Sequence, residues 1–304
     1  MINISVIFLK IVVTFLCILI GVAYMTLVER KLLSYMQSRK GPNKVGYGGI
    51  LQPLADALKL FVKELVIPSR GNSNLFILLP VLSWALSLFT WGLLPSHWAI
   101  SNIKLGMLIF LCLMAMNVYM VMGAGWASNS SYAFLGSMRA SAQSISYEIC
   151  LVFLLLFPCL LQQSSSLMTF LTSFPSSSLM VFGFLCWFVV CLAETNRAPF
   201  DFAEGESELV SGFNIEYGAS PFALLFLGEY TSILFLSVVS GICFLSPKFP
   251  LLLVCYGWVM ALLFLFVRGV YPRHRYDKLM MICWTSILPL SMGFLTMSPF
   301  GHWL

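Results

Sequence analysis

Acidic residues are concentrated in one stretch of the sequence, AETNRAPFDFAEGESELVSGFNIEYG at 193–218. Arg197 lies three residues after Glu194, so the two can pair across one helical turn. Glu204 and Glu208 would be neighbours in a helix, and close like charges raise the pKa of at least one of them. Interleaved apolar residues favour a segment folded into a membrane or against a partner over a solvated acidic loop. We therefore expect acids that exchange protons near neutral pH, drawn from Glu194, Asp201, Glu204, Glu206, Glu208 and Glu216.

Two further acids, Glu148 and Glu229, lie inside long apolar segments. Glu148 follows Arg139 by roughly 14 Å of helix, which places it near the middle of a bilayer. A charge there costs about 2.5–3.5 kcal/mol on insertion scales, so such a residue is protonated, paired or in contact with internal water. Two such acids beside an acidic stretch favour a functional role over the alternative of neutral acids hydrogen-bonded to neighbouring helices.

The composition indicates an integral membrane protein. Of the 304 residues, 60% are hydrophobic and 10% are charged. Apolar runs of about 18 residues or more are typical of transmembrane helices, and they do not alternate as barrel strands do. We predict an all-α polytopic protein with a single membrane domain over 1–304 and an amphipathic interfacial helix in its first long loop. About eight transmembrane helices are expected, at 6–27, 73–94, 104–124, 141–161, 176–194, 220–245, 249–268 and 279–300.

The basic residues lie almost entirely on one side of these spans. Of the 17 Lys and Arg residues, all except Lys10, Lys104 and Lys248 follow spans one, three, five and seven. The positive-inside rule therefore predicts one charged inner face and places both termini on the opposite face. The loops on the charged face are 28–72, 125–140, 195–219 and 269–278.

The first long loop contains the amphipathic segment ILQPLADALKLFVKELV. Its polar residues Gln52, Asp56, Lys59 and Lys63 recur at spacings of three and four, and leucines fill the other side. This pattern predicts a helix that lies at the membrane surface. The helix is either a simple anchor or the rim of a cavity that opens to lipid.

Several other functions are disfavoured by the sequence. The glycine-rich 41–49 lacks the Gly-Lys-Ser/Thr ending of a phosphate-binding loop, and no cysteine pair has the Cys-x-x-Cys spacing of metal sites. Because no basic patch with interleaved aromatics is present, we expect no nucleic-acid partner. Haem-bearing spans would need facing histidines, but His97, His274 and His302 lie at span ends. The first apolar segment is too long for a signal peptide and is expected to be a permanent span.

Three stretches resemble one family: VERKLLSYMQSRKGPNKVGYGGILQPLADALKLFVKE (28–64), ETNRAPFDFAEGESELVSGFNIEYG (194–218) and YPRHRYDKLM (271–280). Together they closely resemble the subunit 1 family of respiratory complex I, the NADH–ubiquinone oxidoreductase. The segment 127–149 is also similar to that family. The length and the start of the chain resemble the mitochondrially encoded animal form.

The resemblance implies a core membrane subunit of a proton-pumping complex in the mitochondrial inner membrane. Its charged loops would face the matrix, and both termini would point towards the intermembrane space. Implied partners are membrane lipids and other membrane-arm and peripheral-arm subunits, including the quinone-site and terminal iron–sulfur subunits. Ubiquinone would be the substrate, and it would enter through a tunnel bordered by the amphipathic helix. The chain is expected to hold no bound metal or flavin, so electrons would come from its partners.

The resemblance also assigns residues. Arg39 and Asp56 match positions near the quinone tunnel, and Arg275 and Asp277 match the third motif at the same site. The acids that match a path coupling quinone reduction to proton translocation are Glu148, Glu194, Asp201, Glu204, Glu206, Glu208 and Glu229. Two alternatives stay open. One is a quinone-independent membrane subunit of a related hydrogenase-type complex, and the other is a stand-alone proton-coupled transporter.

Overall fold

The computed structural model describes residues 2–95, 103–201, 212–247 and 249–298, without the side chains of residues 2–4 and 7. Throughout these ranges the regular structure is helical, and no strand occurs in them. The predicted all-α class is therefore confirmed. Residues Glu204, Glu206 and Glu208 lie outside the described ranges.

Eleven α-helices occur in the described residues. Two π-helical turns interrupt or extend them, at Gly241–Leu245 and Cys283–Ile287, and single 3₁₀ turns lie at Tyr47–Gly49, Ser176–Ser178 and Gly212–Asn214. The helices are α1 Ile2–Met36, α2 Gln52–Val62, α3 Ser73–Trp91, α4 Gly106–Ala127, α5 Ser131–Gln162, α6 Leu167–Thr172, α7 Val181–Glu194, α8 Ala219–Ser240, α9 Pro250–Val270, α10 Tyr276–Ile282 and α11 Leu288–Met297.

Seven helical segments in the described chain are long and apolar enough to cross a membrane. They correspond to seven of the predicted spans, with α10, the π turn and α11 forming one of them. The remaining prediction, 176–194, becomes the 14-residue α7. That helix is about 21 Å long, shorter than the roughly 30 Å hydrocarbon core of a bilayer. The fifth predicted span is therefore shorter than expected.

Helix α5 also differs from its predicted bounds. It begins at Ser131, whereas 141 was expected, so most of the predicted loop 125–140 is helical. The first turns of α5 are rich in serine and alanine and have little hydropathy of their own. One face of these turns, with Ala133, Ser137 and Ala140, is buried because it packs against α4 and the turn Gly212–Asn214. At Gly125 of α4 an added Cβ would lie 2.1 Å from Ser137 Oγ, so only glycine permits this close approach.

The core forms around α5 and α8, the two most buried spans. Helix α5 packs on α4, α7 and α11, and α8 packs on α1, α2, α3 and α9. Trp187 and Phe244 fill the space between α7 and the end of α8, with ring centroids 5.3 Å apart. The two central helices therefore bring Glu148 and Glu229 into the interior of the bundle.

The amphipathic helix is confirmed as α2. Pro53 lies in its first turn, where the missing N–H removes no helical hydrogen bond. Its apolar residues Leu54, Leu58 and Phe61 are exposed, whereas its other side contacts α1 and α8. A surface helix with exposed leucines is suited to lying against lipid.

Candidate functional site

A buried cluster of charges lies between α1, α8 and the ends of α7 and α9. Its centre is Glu29 of α1, which is only 4% exposed. Arg268 of α9 donates a hydrogen bond to Glu29 Oε1, and the Tyr230 hydroxyl of α8 donates to Oε2 at 2.5 Å. Arg197 Nη1 lies 3.9 Å from Oε1. Side chains from three distant parts of the chain therefore contact one carboxylate inside the bundle, and two of them carry a positive charge.

Arg197 connects this cluster to Glu229. Its Nη2 lies 3.6 Å from Glu229 Oε2, and its guanidinium carbon is 4.3 Å from the centre of the Tyr230 ring. Within the described residues, the two carboxylates of Glu29 and Glu229 face the two guanidinium groups of Arg197 and Arg268. Buried charges are tolerated when they are compensated in this way.

The backbone after α7 explains how Arg197 reaches the cluster. The helix ends at Glu194, and Asn196 adopts a left-handed conformation with φ 49°. The N–H of Arg197 then bonds to the carbonyl of Leu192, which closes the turn. The helical turn that was expected to bring Arg197 and Glu194 together is therefore not formed. The arginine turns instead towards Glu29 and Glu229.

A cavity of about 510 Å³ lies beside this cluster, between α1, α2 and α8. Its walls are largely apolar, with side chains such as Val22, Leu60 and Phe226. Charged and polar side chains are gathered among them: Glu29, Arg30, Asp56, Arg197, Tyr230 and Arg268. An apolar cavity with a few converging polar groups is typical of a site for an amphipathic small molecule.

Asp56, expected at the tunnel, lines this cavity. It accepts hydrogen bonds from Arg30 at 2.5 Å and from Gln52 at 2.9 Å, which ties α2 to α1. Arg39, the other expected tunnel residue, is exposed and does not line the cavity. It lies instead in a neighbouring basic recess of about 540 Å³ with Lys40 and Lys44.

A second group of acids lies along α5. Glu148 of α5 and Glu194 at the end of α7 are close enough for their charges to interact. Asp201 is buried, and its Oδ2 accepts a hydrogen bond from Arg273 at 2.9 Å. Gln143 of α5 contacts the backbone beside both Glu194 and Asp201. The structure thus gathers three of the predicted acids on one side of α5 and places Glu229 in the charge cluster.

Arg275 and Asp277, assigned from the sequence to the quinone site, form an ion pair with each other at 2.9 Å. Their side chains are 77% and 65% exposed, and neither lines the cavity. Because both are in contact with solvent, this pair is suited to a surface role. No group of three or more His, Cys, Asp or Glu residues in the described part of the chain is arranged to hold a metal ion.

Sequence reasoning missed Glu29, Tyr230 and Arg268. Glu29 falls in the predicted loop 28–72, after the end of the first predicted span at 27, but α1 continues to Met36 and carries it inside the bundle. The signal was available in the helical phase, because Val22, Met25 and Glu29 recur at spacings of three and four and are all buried. Arg268 lies at the end of a predicted span, where an arginine is typical of an orientation signal, and a tyrosine in an apolar run is common.

These features define a polytopic α-helical membrane protein with a charge-lined internal cavity. The model of the NADH dehydrogenase family matches residues 9–298. Proteins named NADH-ubiquinone oxidoreductase chain 1 are similar along nearly the whole length. The one from Aedes aegypti is 49% identical, with 92% of this chain and 91% of that protein covered. The one from Balaenoptera physalus is 46% identical, with 94% and 93% covered. The chain belongs to the NADH dehydrogenase family.

Proposed function

We propose that this chain is the core membrane subunit of proton-pumping NADH–ubiquinone oxidoreductase, respiratory complex I, in the mitochondrial inner membrane. The names of its relatives support the complex, and the animal sources of those relatives support the mitochondrial location. The observation that carries the site assignment is the cavity between α1, α2 and α8, with its buried charges. Ubiquinone is the substrate, and the cavity is part of its tunnel.

The chemistry of the cavity matches the two parts of a quinone. Apolar side chains from α1, α2 and α8 are suited to an isoprenoid tail, which has no hydrogen-bonding groups. The carbonyl oxygens of the head accept hydrogen bonds, which the guanidinium groups of Arg197 and Arg268 are able to donate. Helix α2 exposes leucines on its outer side. Such leucines are expected if α2 forms the rim of a tunnel that opens to lipid.

The charge cluster supports a coupling role for the acids. Reduction of a quinone takes up two electrons, supplied by partner subunits, and two protons. Each charge change beside Glu29 acts on Arg197, which also contacts Glu229 and lies three residues from Glu194. Electrostatic effects are strong where water is scarce. We therefore assign Glu148, Glu194, Asp201 and Glu229 to the proton path, and extend it to Glu204, Glu206 and Glu208.

The proposed orientation places the charged loops on the matrix side and both termini towards the intermembrane space. It requires an even number of crossings, so α7 with the residues before it forms the eighth. The segments on the matrix side are 28–72, 125–140, 195–219 and 269–278, of which 125–140 is mostly helical. On this side the basic recess at Arg39 is available to peripheral-arm subunits, including those that carry the quinone site and the terminal iron–sulfur cluster.

A photoreactive ubiquinone analogue tests the site in the assembled complex. We expect labelling of the cavity walls in α1, α2 and α8, and we expect excess ubiquinone to abolish it. Labelling confined to other subunits would contradict the cavity assignment. The same preparation separates the alternatives, because a hydrogenase-type subunit or a stand-alone transporter would show no quinone-dependent NADH oxidation.

Glu194→Gln tests the path separately. This change removes one carboxylate of the proposed path without altering the shape of the side chain. Proton pumping per NADH should fall, while electron transfer to a water-soluble acceptor that bypasses the membrane chain should not change. Normal pumping would remove Glu194 from the path.

A further inference from the structure

Gln143 is a fully buried amide at the centre of the acid group. Its Nε2 donates two hydrogen bonds, one to the carbonyl of Ala193 and one to the carbonyl of Phe200, each at 2.9 Å. These carbonyls belong to the residues directly before Glu194 and Asp201. A single side chain from α5 therefore holds the backbone beside two acids of the proposed path.

The chemistry of an amide explains why this position carries glutamine. Its NH₂ group has two donors, and both are used here, one on the Ala193 carbonyl at the end of α7 and one on the Phe200 carbonyl in the segment that follows. A leucine would fill a similar volume, but it would leave both carbonyls without these bonds. The separation between Glu194 and Asp201 is thus fixed through Gln143.

The other half of the amide is an acceptor. Gln143 Oε1 is buried and has no hydrogen-bond donor among the described residues, and the same holds for Glu194 Oε2 and Asp201 Oδ1. Buried polar atoms normally have a partner, so each exception calls for an explanation. A water molecule or a protonated carboxyl group is able to donate hydrogen bonds to such acceptors, and both can also carry a proton.

We propose that Gln143 is a positioning residue of the proton path. Its NH₂ sets the spacing of Glu194 and Asp201, and its Oε1 accepts a hydrogen bond from the water or protonated carboxyl that carries a proton between them. No covalent bond changes at the amide itself. The inference deepens the proposed function and rests on its assignment of these acids to proton transfer.

Several charged or titratable groups surround this amide. On α5 itself lies Glu148, and at the end of α7 lies Glu194. Arg273, from the segment between α9 and α10, contacts Asp201. The ring of His274 stacks on Phe200 at 5.9 Å, and the backbone N–H of His274 donates to the carbonyl of Pro199. A charge placed at position 143 would therefore act on acids and bases of four segments.

The first test is Gln143→Leu in the assembled complex, with Gln162→Leu as the matched control. Gln162 is the last residue of the same helix and also has buried amide atoms, but it is far along α5 from the acids. Misplaced reacting groups cost up to about a hundredfold in rate. We expect Gln143→Leu to lower ubiquinone turnover by about tenfold to a hundredfold with little change in KM. We expect Gln162→Leu to turn over at the native rate.

The second test is Gln143→Glu, which separates positioning from packing. A protonated carboxyl keeps one donor and one acceptor, whereas an ionised carboxylate only accepts and adds a negative charge. Turnover of this variant should approach the native rate at low pH and fall as pH rises, relative to the native complex at each pH. A role that requires only the volume of this side chain would give the same activity, relative to the native complex, at every pH.

The outcomes distinguish the two levels of the proposal. Native turnover in Gln143→Leu, or a flat pH profile relative to native in Gln143→Glu, overturns the role of Gln143. If Glu194→Gln still impairs pumping in that case, the acid path stands without it. If Glu194→Gln also pumps normally, the path itself is wrong. Assembly is checked by the amount of intact complex that contains this chain, and electron transfer to a water-soluble acceptor serves only to normalise for the peripheral arm.

Discussion

Glu29→Gln is the sharpest test of the buried charge cluster. Glutamine has nearly the shape of glutamate and can still accept a hydrogen bond from the Tyr230 hydroxyl, but it carries no charge. After the change, the guanidinium groups of Arg197 and Arg268 face the single carboxylate of Glu229. The cluster in the described residues then has one negative charge fewer beside the two guanidinium groups.

The magnitude follows from burial. Breaking a buried ion pair by removing one partner costs about 3–5 kcal/mol. Glu29 is 4% exposed and Arg197 is 8% exposed, but the side chain of Arg268 is 30% exposed and is partly solvated. We therefore expect the lower end, about 3 kcal/mol. Since about 1.4 kcal/mol is a factor of ten, the locally opened state should become roughly a hundredfold more populated.

The assay is the rate of thermal inactivation of ubiquinone reduction by the assembled complex, together with hydrogen exchange in α1 and α9. Asp277→Asn is the matched control, since it also removes an acid paired with an arginine, here Arg275 at 2.9 Å. Both side chains of that pair are mostly exposed, and such surface pairs are worth about 0–1 kcal/mol. Glu29→Gln should inactivate faster and exchange faster, whereas Asp277→Asn should behave like the native complex.

Equal inactivation rates in the two variants would refute this reasoning, because a buried ion pair would then contribute no more to stability than an exposed one. A Glu29→Gln complex that is more stable than the native one would refute it as well. That result would show that the free-energy cost of desolvating Glu29 is larger than the stabilisation from its pairing with the two arginines.

Two further predictions concern the helices that position the site. Gly125→Ala should destabilise the α4–α5 contact by about 1–3 kcal/mol, because the new Cβ would lie 2.1 Å from Ser137 Oγ. Gly293→Ala, which meets nothing within 4 Å, should be tolerated, and equal thermal stability of the two variants would contradict the packing argument. Leu58→Glu, on the exposed apolar side of α2, should raise the KM for long-tailed quinones more than for short-tailed ones. Lys59→Glu on the same helix should not show this difference, and a tail-independent effect of Leu58→Glu would exclude α2 from the rim.

Much of the fold could be predicted from the sequence because a bilayer imposes local rules. A helix satisfies its own backbone, so a long apolar run is sufficient to place a span. The amphipathic spacing of Gln52, Asp56 and Lys59 was likewise enough to place α2. The start of α5 could not be found this way, because the serines and alanines after Ser131 become buried only through contact with α4 and with Gly212–Asn214.

The site was only half visible in the sequence. Asp56, Glu148, Glu194, Asp201 and Glu229 stood out because charges are rare in such a chain, and the structure places them beside the cavity or along α5. Arg39 and the pair Arg275–Asp277 carried the same signal, yet they lie at the surface, away from the cavity lining. Rarity identifies a charged residue, but it does not show which way its helix faces.

By itself, then, the sequence determined the class of the protein, the positions of most of its membrane helices and the presence of acids that need an explanation. Only the tertiary structure decided which charges meet. Glu29 and Arg268 are 239 residues apart, and Arg197 reaches Glu29 only because the chain leaves the helix after Glu194. An unpaired charge inside a bilayer is costly, so the sequence indicates that each buried charge needs a partner. It does not identify which residue that partner is. The choice depends on how α1, α8 and α9 rotate and pack against one another, and that is set by contacts across the whole chain.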